Sequence, residues 1–321
     1  CLIVKLDALG DLFLSVKTID CIISKKKSAI IVVDEAYVDL FTCYKGVSIF
    51  PINVKSYILN PFYRYKKLAY LYKFHYNQVI NLNISRPHFV SDSIIREVES
   101  KYKVGFLSDN ANSSSKIDFI YRRKYDYLVD VDFREHELDK LLRLLIYLKV
   151  NVDNTDGRSI IRSMASKSKI VKGDYYSIAL GAGAPGRVWS YKNYILIIDF
   201  LYSRYGLQCV LLGAENEVFI AKKIILNTNN KMIDMSGKTN LVEYITLIKN
   251  SKFIIANESS AIHIAEYYKK TSFCLCGGGH YGRFVPYPKN INSRIIPLIY
   301  KMKCYGCNWN CEYVPINKSV P

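Results

Sequence analysis

Long apolar runs are missing from this sequence, and their absence limits how the protein can relate to a membrane. No apolar stretch approaches the ~18 to 20 residues that a membrane-spanning helix needs. The first residues also lack the order of basic, apolar and small residues that marks a signal peptide. We therefore expect a cytoplasmic protein, for which contact with a membrane surface is left open.

Acidic residues are few relative to basic ones. Lys and Arg number 45 against 28 Asp and Glu, a formal net charge of +17, and the excess is spread along the chain. Such a surplus favours anionic partners, which include nucleic acid, lipid headgroups and phosphorylated small molecules. The sequence contains no recognised nucleic-acid-binding motif, so we predict no nucleic-acid partner. The charge and the 27 tyrosines keep a non-catalytic nucleic-acid-binding protein as an alternative.

A paired cysteine framework is also lacking. The nine cysteines are an odd number scattered through 321 residues, which favours reduced thiols over disulfides. Only Cys304, Cys307 and Cys311 lie close together, with CxxCxxxC spacing. Three thiols leave a zinc or iron–sulfur site without its fourth ligand. We therefore predict no metal-binding residue and interpret the cluster as structural, with metal binding as the alternative.

The sequence does contain two series of short apolar runs that alternate with helical periodicities. The first series ends near Val150 and the second begins at Tyr175. This alternation predicts parallel strands joined by right-handed crossovers, and the polar residues 151–172 between the series resemble a linker. We predict an α/β protein of two doubly wound, Rossmann-like domains, 1–160 and 173–321, that face each other across a cleft.

A glycine-rich loop follows the first strand of the second domain. Residues Gly181–Gly186 satisfy the GxGxxG pattern of dinucleotide-binding proteins, and Asp199 lies at about the distance of a ribose-binding acid. Pro185 interrupts the loop, however, and the helical period begins only at about Lys192. This argues against NAD, although an NAD-dependent oxidoreductase stays as an alternative. Small residues beside Arg187 predict instead a phosphate site built from backbone N–H groups and a guanidinium.

Two later strands of this domain end in residues that suit a ligand. One apolar run stops at Asn257–Ser260 and the next at Gly277–Gly279, and ligands bind at the carboxyl edge of such sheets. Ser259 and Ser260 precede a helix, whose positive end suits an anion. Plain helix capping explains these serines equally well. His263, one turn into the helix, fits either a phosphate contact or a packed core.

Gly10 and Asp11 lie at a strand-to-helix turn in the first domain. Such a turn aims a carboxylate out of the sheet edge, which suits a general base. A residue that only caps the helix has the same spacing, and spacing alone favours the cap.

Taken together, four stretches resemble glycosyltransferase family 9, which contains the ADP-heptose lipopolysaccharide heptosyltransferases. In chain order they are LIVKLDALGDLFLSV, GAGAPGRVWSYKNY, SGKTNLVEYITLIKNSKFIIANESSAIHIAEY and CLCGGGHYGRFVPYP. They span both halves in the family's order and spacing, which makes the resemblance more specific than any single motif.

The resemblance implies a GT-B fold and a metal-independent, inverting transfer of a sugar with no cofactor. Asp11 is implied as the base that deprotonates the acceptor, and Arg187 as the cation that stabilises the diphosphate leaving group. The residues implied at the nucleotide-sugar donor are Gly181, Gly183, Thr239, Leu241, Glu258, Ser259, Ser260 and His263.

The resemblance also implies partners. The expected donor is ADP-heptose or a related nucleotide sugar. The expected acceptor is a lipopolysaccharide core or another anionic surface glycan or glycolipid, met peripherally at the inner face of the cytoplasmic membrane. Glu258 replaces the family's usual Asp, and Ser260-Ala261 its Gly-Pro, so the identity of the donor sugar stays open. A degenerate domain that only binds is a further alternative, against which the presence of Asp11 and Arg187 argues.

Overall fold

A computed structural model describes residues 1–42, 45–86, 88–108, 115–132, 134–152, 159–161 and 170–308 of the chain. The chain divides into two compact units, Cys1–Ser163 (unit 1) and Met164–Pro321 (unit 2). Most of the predicted linker lies outside the described residues, so the domain limits at 160 and 173 stay predictions.

Unit 1 is a parallel six-stranded sheet with helices. Its strands are β1 (Leu2–Lys5), β2 (Ala29–Asp34), β3 (Val47–Ile52), β4 (Val79–Asn81), β5 (Lys103–Phe106) and β6 (Tyr127–Val129), in the order β3-β2-β1-β4-β5-β6. Its α-helices are α1 (Leu9–Lys26), α2 (Val54–Leu59), α3 (Pro61–Leu71), α4 (Ser93–Glu97), α5 (Ser115–Arg122) and α6 (Glu137–Tyr147). Short helical turns of other types span Glu35–Leu40 and His88–Asp92.

Unit 2 repeats this plan. Its strands are β7 (Tyr175–Ala179), β8 (Gln208–Leu212), β9 (Met232–Asp234), β10 (Phe253–Asn257), β11 (Thr271–Leu275) and β12 (Ile295–Leu298), all parallel, in the order β12-β11-β10-β7-β8-β9. Its α-helices are α7 (Tyr191–Tyr205), α8 (Val218–Leu226), α9 (Leu241–Asn250) and α10 (Ser260–Tyr267), with 3₁₀ turns at Pro185–Arg187 and Glu215–Glu217.

The apolar runs form central strands because both faces of each sheet are covered. Leu2, Ile3 and Val4 of β1 are fully buried, although successive side chains of a strand point to opposite faces. In unit 2, Ile254 and Ile255 of β10 are buried in the same way.

The two sheets have the same strand order when each is numbered from its own first strand. In each, the first strand pairs with both the second and the fourth, at β1/β4 and at β7/β10. Such a switch in the direction of strand addition opens a crevice at the carboxyl ends of the strands. The predicted doubly wound fold is confirmed in both units. Within the residues described, no helix has the length and apolar character needed to cross a membrane.

Candidate active site

The switch point of unit 2 lies between two of the predicted site segments. The carboxyl end of β7 leads into the loop from Leu180 to Ser190, and the carboxyl end of β10 leads into Glu258 and Ser259. These two strands are hydrogen-bonded neighbours, so the glycine-rich loop and the start of α10 lie at the same edge of the sheet.

Asn257 ties the two segments together. Its Oδ1 accepts hydrogen bonds from the backbone N–H of Trp189 and from the hydroxyl of Tyr194, both at 3.1 Å. Its amide nitrogen donates to the carbonyl oxygen of Leu180 at 2.9 Å. The side chain is fully buried, so these bonds fix the loop after β7 against the end of β10.

Arg187 and Glu258 meet at this edge. Nη1 of Arg187 lies 3.4 Å from the backbone oxygen of Glu258 and 3.8 Å from its Oε1. A β-carbon at Gly183 would lie 2.4 Å from Nη2 of Arg187. The guanidinium therefore lies directly against the glycine loop, in a place that a larger side chain would occupy.

The Glu258 carboxylate is almost completely buried, with 3% of the residue exposed. Nδ1 of His280 lies 3.3 Å from its Oε1. Neither carboxylate oxygen accepts a hydrogen bond from the residues that the structure describes. Buried carboxylates normally have their hydrogen bonds satisfied, so this one retains acceptor capacity for a ligand with hydroxyl or N–H donors.

Ser259 and Ser260 begin α10. Ser259 is the N-cap residue, with extended backbone (φ −151°, ψ 177°), and its side chain makes no capping hydrogen bond within the described part of the chain. Both serines are half-buried. The hydroxyl of Ser259 does not perform the plain capping that was the alternative interpretation, and the first-turn N–H groups of the helix suit an anion.

His263 lies deeper in the fold. Its Nδ1 is 2.9 Å from the hydroxyl of Tyr287, and the two rings stack at 5.9 Å between centroids. Burial raises the pKa of Tyr287 well above its ordinary value. The structure thus places His263 in a packed core, as one of its two interpretations expected, and a contact with the donor stays a prediction.

Thr239 and Leu241 lie after β9. Thr239 is half-buried and precedes Asn240, the N-cap of α9, and Leu241 is the first helical residue. Oδ1 of Asn240 accepts from the N–H of Glu243, and Oε2 of Glu243 accepts from the N–H of Asn240, both at 2.9 Å. This capping box fixes the backbone of the segment predicted to lie near the nucleoside.

Glu217 was missed by the sequence reasoning. It follows β8 and packs against the loop, since a β-carbon at Gly181 would lie 3.1 Å from its carboxyl carbon. Asp199, the acid suggested by the dinucleotide pattern, lies instead within α7. There its Oδ1 accepts from the Thr228 hydroxyl and the Asn230 amide, both at 2.6 Å. Asp199 is a structural residue, so the dinucleotide pattern loses its ribose-binding acid.

A cavity of about 460 Å³ lies beside Arg187, a volume within the range of small-molecule sites. Its walls come from the loop after β7, the glycines after β11 and the segment after β12, and include Trp189, Gly277, Cys276, Cys304, Tyr305 and Cys307. No group of three His, Cys, Asp or Glu side chains among the described residues is placed to hold a metal ion. Cys311 lies outside those residues.

Asp11 lies at the corresponding edge of unit 1. It is half-buried in the first turn of α1, and its backbone oxygen accepts from the Ser15 hydroxyl at 2.8 Å. Burial, together with the charges of Asp34, Asp7 and Asp11, raises the pKa of Tyr37 to about 12. The carboxyl ends of β1 and β2 therefore bring several carboxylates around one tyrosine hydroxyl.

Asp7 is a second residue that the sequence reasoning missed. Burial raises its pKa, and the ammonium of Lys5, 3.0 Å from Oδ2, opposes that rise. Its Oδ1 accepts no hydrogen bond from any described residue. Its position at the end of the first apolar run, residues 2–6, was the only sequence signal for it.

The strand order and the two switch points are those of GT-B glycosyltransferases, the class that the similar solved structures represent. Residues 66–308 match the family described as glycosyltransferase family 9 (heptosyltransferase). The match covers more than half of the chain, which therefore belongs to glycosyltransferase family 9. The predicted family, fold class and glycosyltransferase activity class are confirmed, against the oxidoreductase and nucleic-acid-binding alternatives.

Several solved structures share the fold. A family 9 glycosyltransferase from Veillonella parvula has a TM-score of 0.73 at 16% identity, covering 92% of this chain and 86% of its own. E. coli heptosyltransferase WaaC with ADP-2-deoxy-2-fluoro heptose has a TM-score of 0.69 at 16% identity, covering 92% of this chain and 92% of its own. E. coli ADP-heptose lipopolysaccharide heptosyltransferase II has a TM-score of 0.70 at 15% identity, covering 92% of this chain and 89% of its own. No curated protein sequence matches the chain.

Proposed function

We propose that this family 9 enzyme transfers heptose, or a related sugar, from a nucleoside diphosphate to a bacterial surface glycan, with inversion at the anomeric carbon. The observation that carries the proposal is the contact between Arg187 and Glu258 at the carboxyl edge of the second sheet. A guanidinium suited to a diphosphate lies there beside a buried carboxylate suited to sugar hydroxyls.

On the donor side, Arg187 meets the charge that develops during the reaction. As the bond between the anomeric carbon and the diphosphate oxygen breaks, negative charge grows on the diphosphate, and a cation already in place stabilises it. Gly181 and Gly183 let the backbone approach the phosphates, and the serines at the start of α10 add hydroxyl and N–H donors.

Glu258 is the proposed acceptor for the hydroxyls of the transferred sugar. Its oxygens accept no hydrogen bond from described residues, and His280 lies on the same carboxylate. Glu258 is one methylene longer than the family's usual Asp, and His280 adds a second group there. Both differences fall at the sugar, so they bear on which sugar is accepted.

The nucleoside is proposed to lie between the ends of β8 and β9. Thr239 and Leu241 follow β9, and Glu217 follows β8. In nucleotide-binding α/β sheets an acid at the end of the second strand binds the ribose hydroxyls, and Glu217 has the corresponding position.

Asp11 is the proposed general base. It takes the proton of the acceptor hydroxyl while the acceptor oxygen bonds to the anomeric carbon and the diphosphate leaves with the electron pair. Base catalysis of this kind contributes about 10²- to 10⁴-fold. The mechanism requires no metal and no cofactor other than the donor.

ADP-heptose is the first candidate donor because the similar WaaC structure contains ADP-2-deoxy-2-fluoro heptose. A lipopolysaccharide core or a similar anionic glycolipid fits the net charge of +17. Such an acceptor implies an enzyme that works in the cytoplasm, peripheral to the inner face of the membrane.

Thermal unfolding in the presence of ADP-, GDP- and UDP-sugars tests the proposal. A ligand that binds only the folded state at about 100 times its Kd stabilises by about 2.7 kcal/mol, which raises Tm by several degrees. We expect this rise with ADP-heptose, and release of ADP once an acceptor extract is added. A protein whose Tm responds to none of the nucleotide sugars would contradict the proposal.

A further inference from the structure

One surface of unit 1 combines positive charge with exposed apolar side chains. From residue 40 to residue 91 the sequence contains no Asp or Glu, but it contains Lys45, Lys55, Arg64, Lys66, Lys67, Lys73 and Arg86. The consecutive helices α2 and α3, joined at Asn60, lie in the middle of this stretch. We call its exposed side the basic hairpin face, made by Lys55, Leu59, Phe62, Tyr65, Lys66 and Lys73.

The tip of the basic hairpin face is apolar. Leu59, Phe62 and Tyr65 lie at and just after the turn between the helices, and 70%, 87% and 73% of their surfaces are exposed. Isolated exposed apolar residues are ordinary, but a cluster of large ones surrounded by polar groups marks an interaction surface.

The opposite side of the hairpin is firmly packed. Tyr57 and Leu71 are fully buried, and the Tyr57 hydroxyl lies 2.9 Å from Oγ of Ser93. The backbone N–H of Asn53 donates to the Tyr63 hydroxyl at 2.9 Å. The apolar tip is therefore presented by a fixed element rather than left over from loose packing.

The lysines of this face lack a carboxylate partner in the part of the chain that the structure describes. Among the residues that the structure describes, Lys55, Lys66 and Lys73 form no ion pair, as expected from a stretch without acidic residues. Lys67 differs, because its Nζ donates a hydrogen bond to the carbonyl oxygen of Pro51 at 2.7 Å. Its ammonium group is therefore directed toward β3 rather than into solvent. Lysines that form no ion pair among the described residues favour an anionic partner.

We propose that the basic hairpin face docks on an anionic lipid bilayer. Leu59 and Phe62 enter the boundary between headgroups and acyl chains, Tyr65 lies at headgroup level, and the lysines bind lipid phosphates. A second copy of the chain fits poorly, because it would bring two faces of the same charge together. The inference rests on the proposed function only in taking the inner face of the cytoplasmic membrane as the bilayer concerned.

Unit 2 offers a matched control surface. Phe219 and Leu226 of α8 are 65% and 83% exposed, and Lys222 and Lys223 lie on the same helix. Here, however, the acidic Glu215–Glu217 segment immediately precedes the helix. This surface has the same residue types, but acidic residues lie immediately before them in the chain.

Sedimentation of the full chain with vesicles tests the proposal, with no donor or acceptor sugar present. One set of vesicles is phosphatidylcholine alone, and the other contains phosphatidylglycerol as well. We expect binding to the anionic set only. The double variant Leu59→Ser/Phe62→Ser should weaken it by about tenfold or more, through lost apolar insertion. Lys55→Gln/Lys66→Gln should weaken it by about tenfold at low salt, and Phe219→Ser/Leu226→Ser should leave it unchanged.

Three outcomes would overturn the proposal. If vesicle binding is absent, or is equal for both lipid compositions, an anionic bilayer is excluded as the partner of this face. An equal loss in the α8 control removes the assignment to this face. Concentration-dependent self-association that Leu59→Ser/Phe62→Ser abolishes assigns the face to a second copy. Because Tm rises with nucleotide sugars are measured separately, a failure here is distinguishable from a failure of the proposed transferase activity.

Discussion

The two units share a strand order, but they differ in how many polar partners surround a buried charged side chain. In unit 1, Arg86 is fully buried between two carboxylates: Nη1 lies 3.0 Å from Oδ2 of Asp92, and Nη2 bonds to Asp118. In unit 2, Glu258 is buried between Arg187 and His280, yet its oxygens accept no hydrogen bond from described residues.

The difference separates a structural charge from a binding charge. Burying an ion costs free energy that only close partners offset. In the Arg86 cluster two carboxylates within the fold offset the free energy of burying the guanidinium. In the Glu258 cluster part of the free energy of burying the carboxylate is left for the hydrogen bonds of a ligand to offset. We therefore expect substitutions in the first cluster to lower stability and substitutions in the second to lower donor affinity.

The largest expected effect concerns Asp11, a half-buried carboxylate at the sheet edge of unit 1. Asp11→Asn should lower kcat by about 10²- to 10⁴-fold, because the amide cannot take the acceptor proton. Its Tm should change little. Steady-state kinetics of transfer measures the effect, and the exposed Glu35→Gln in the same unit serves as control. Turnover of Asp11→Asn at the wild-type rate would exclude Asp11 as the base.

Arg86→Met should have the largest effect on stability. Removing one partner of a buried ion pair costs about 3–5 kcal/mol, because Asp92 and Asp118 remain buried without their cation. Urea unfolding measures the loss. Arg96→Met, which removes an exposed arginine, should change the free energy of unfolding by less than about 0.5 kcal/mol. Equal stability of the two variants would contradict a structural role for the Arg86 cluster.

Glu258→Gln should show the opposite pattern. A hydrogen bond to a charged group is worth about 1.5–3 kcal/mol, so donor affinity should fall by about 10- to 100-fold while Tm changes little. Titration calorimetry with the donor measures this, and Asp174→Asn, at an exposed position of unit 2, is the control. A large loss of Tm with unchanged affinity would make Glu258 a structural residue like Arg86.

Asp20 of α1 provides a smaller test by pH. Burial raises its pKa to about 6, although the N–H of Ile160 donates to Oδ1 at 2.6 Å. The folded state therefore holds this proton more tightly than the unfolded state, whose pKa is about 4. Stability from this group is full below about pH 4 and is lost as pH rises to about 6.

Asp20→Asn removes this dependence. The variant should be more stable than the wild type by about 2 kcal/mol at pH 7.5, with the advantage shrinking toward pH 4.5. Urea unfolding at the two pH values measures it, and the exposed Asp39→Asn should show neither effect. An advantage for Asp20→Asn that is the same at both pH values would refute the role of ionisation.

Local pattern predicted the fold well, for a physical reason. Runs such as Leu2–Val4 and Ile254–Ala256 are apolar throughout because both faces of a parallel sheet are buried, and their alternation with helices fixes the parallel order. In unit 2 the residues that follow β7 and β10 therefore lie at the sheet edge where Arg187 and Glu258 meet.

Contacts between distant segments could not be predicted in this way. His280 reaches Glu258 only through the path of the loop after β11, and Asp7 becomes a half-buried carboxylate beside Lys5 only in the folded chain. Asp199 illustrates the converse, since its spacing suggested a ribose contact but α7 carries it to Thr228 and Asn230. Spacing along the chain does not determine which side chains face one another.

The affinity of the Arg187→Ala variant for ADP-heptose tests the central claim most directly. Titration calorimetry should show a Kd about 10- to 100-fold weaker than that of the wild type, because the charge-assisted contacts to the diphosphate are lost. Lys252→Ala, which removes an exposed cation at the amino end of β10, should bind like the wild type. A folded Arg187→Ala variant that binds ADP-heptose as tightly as the wild type would contradict the account.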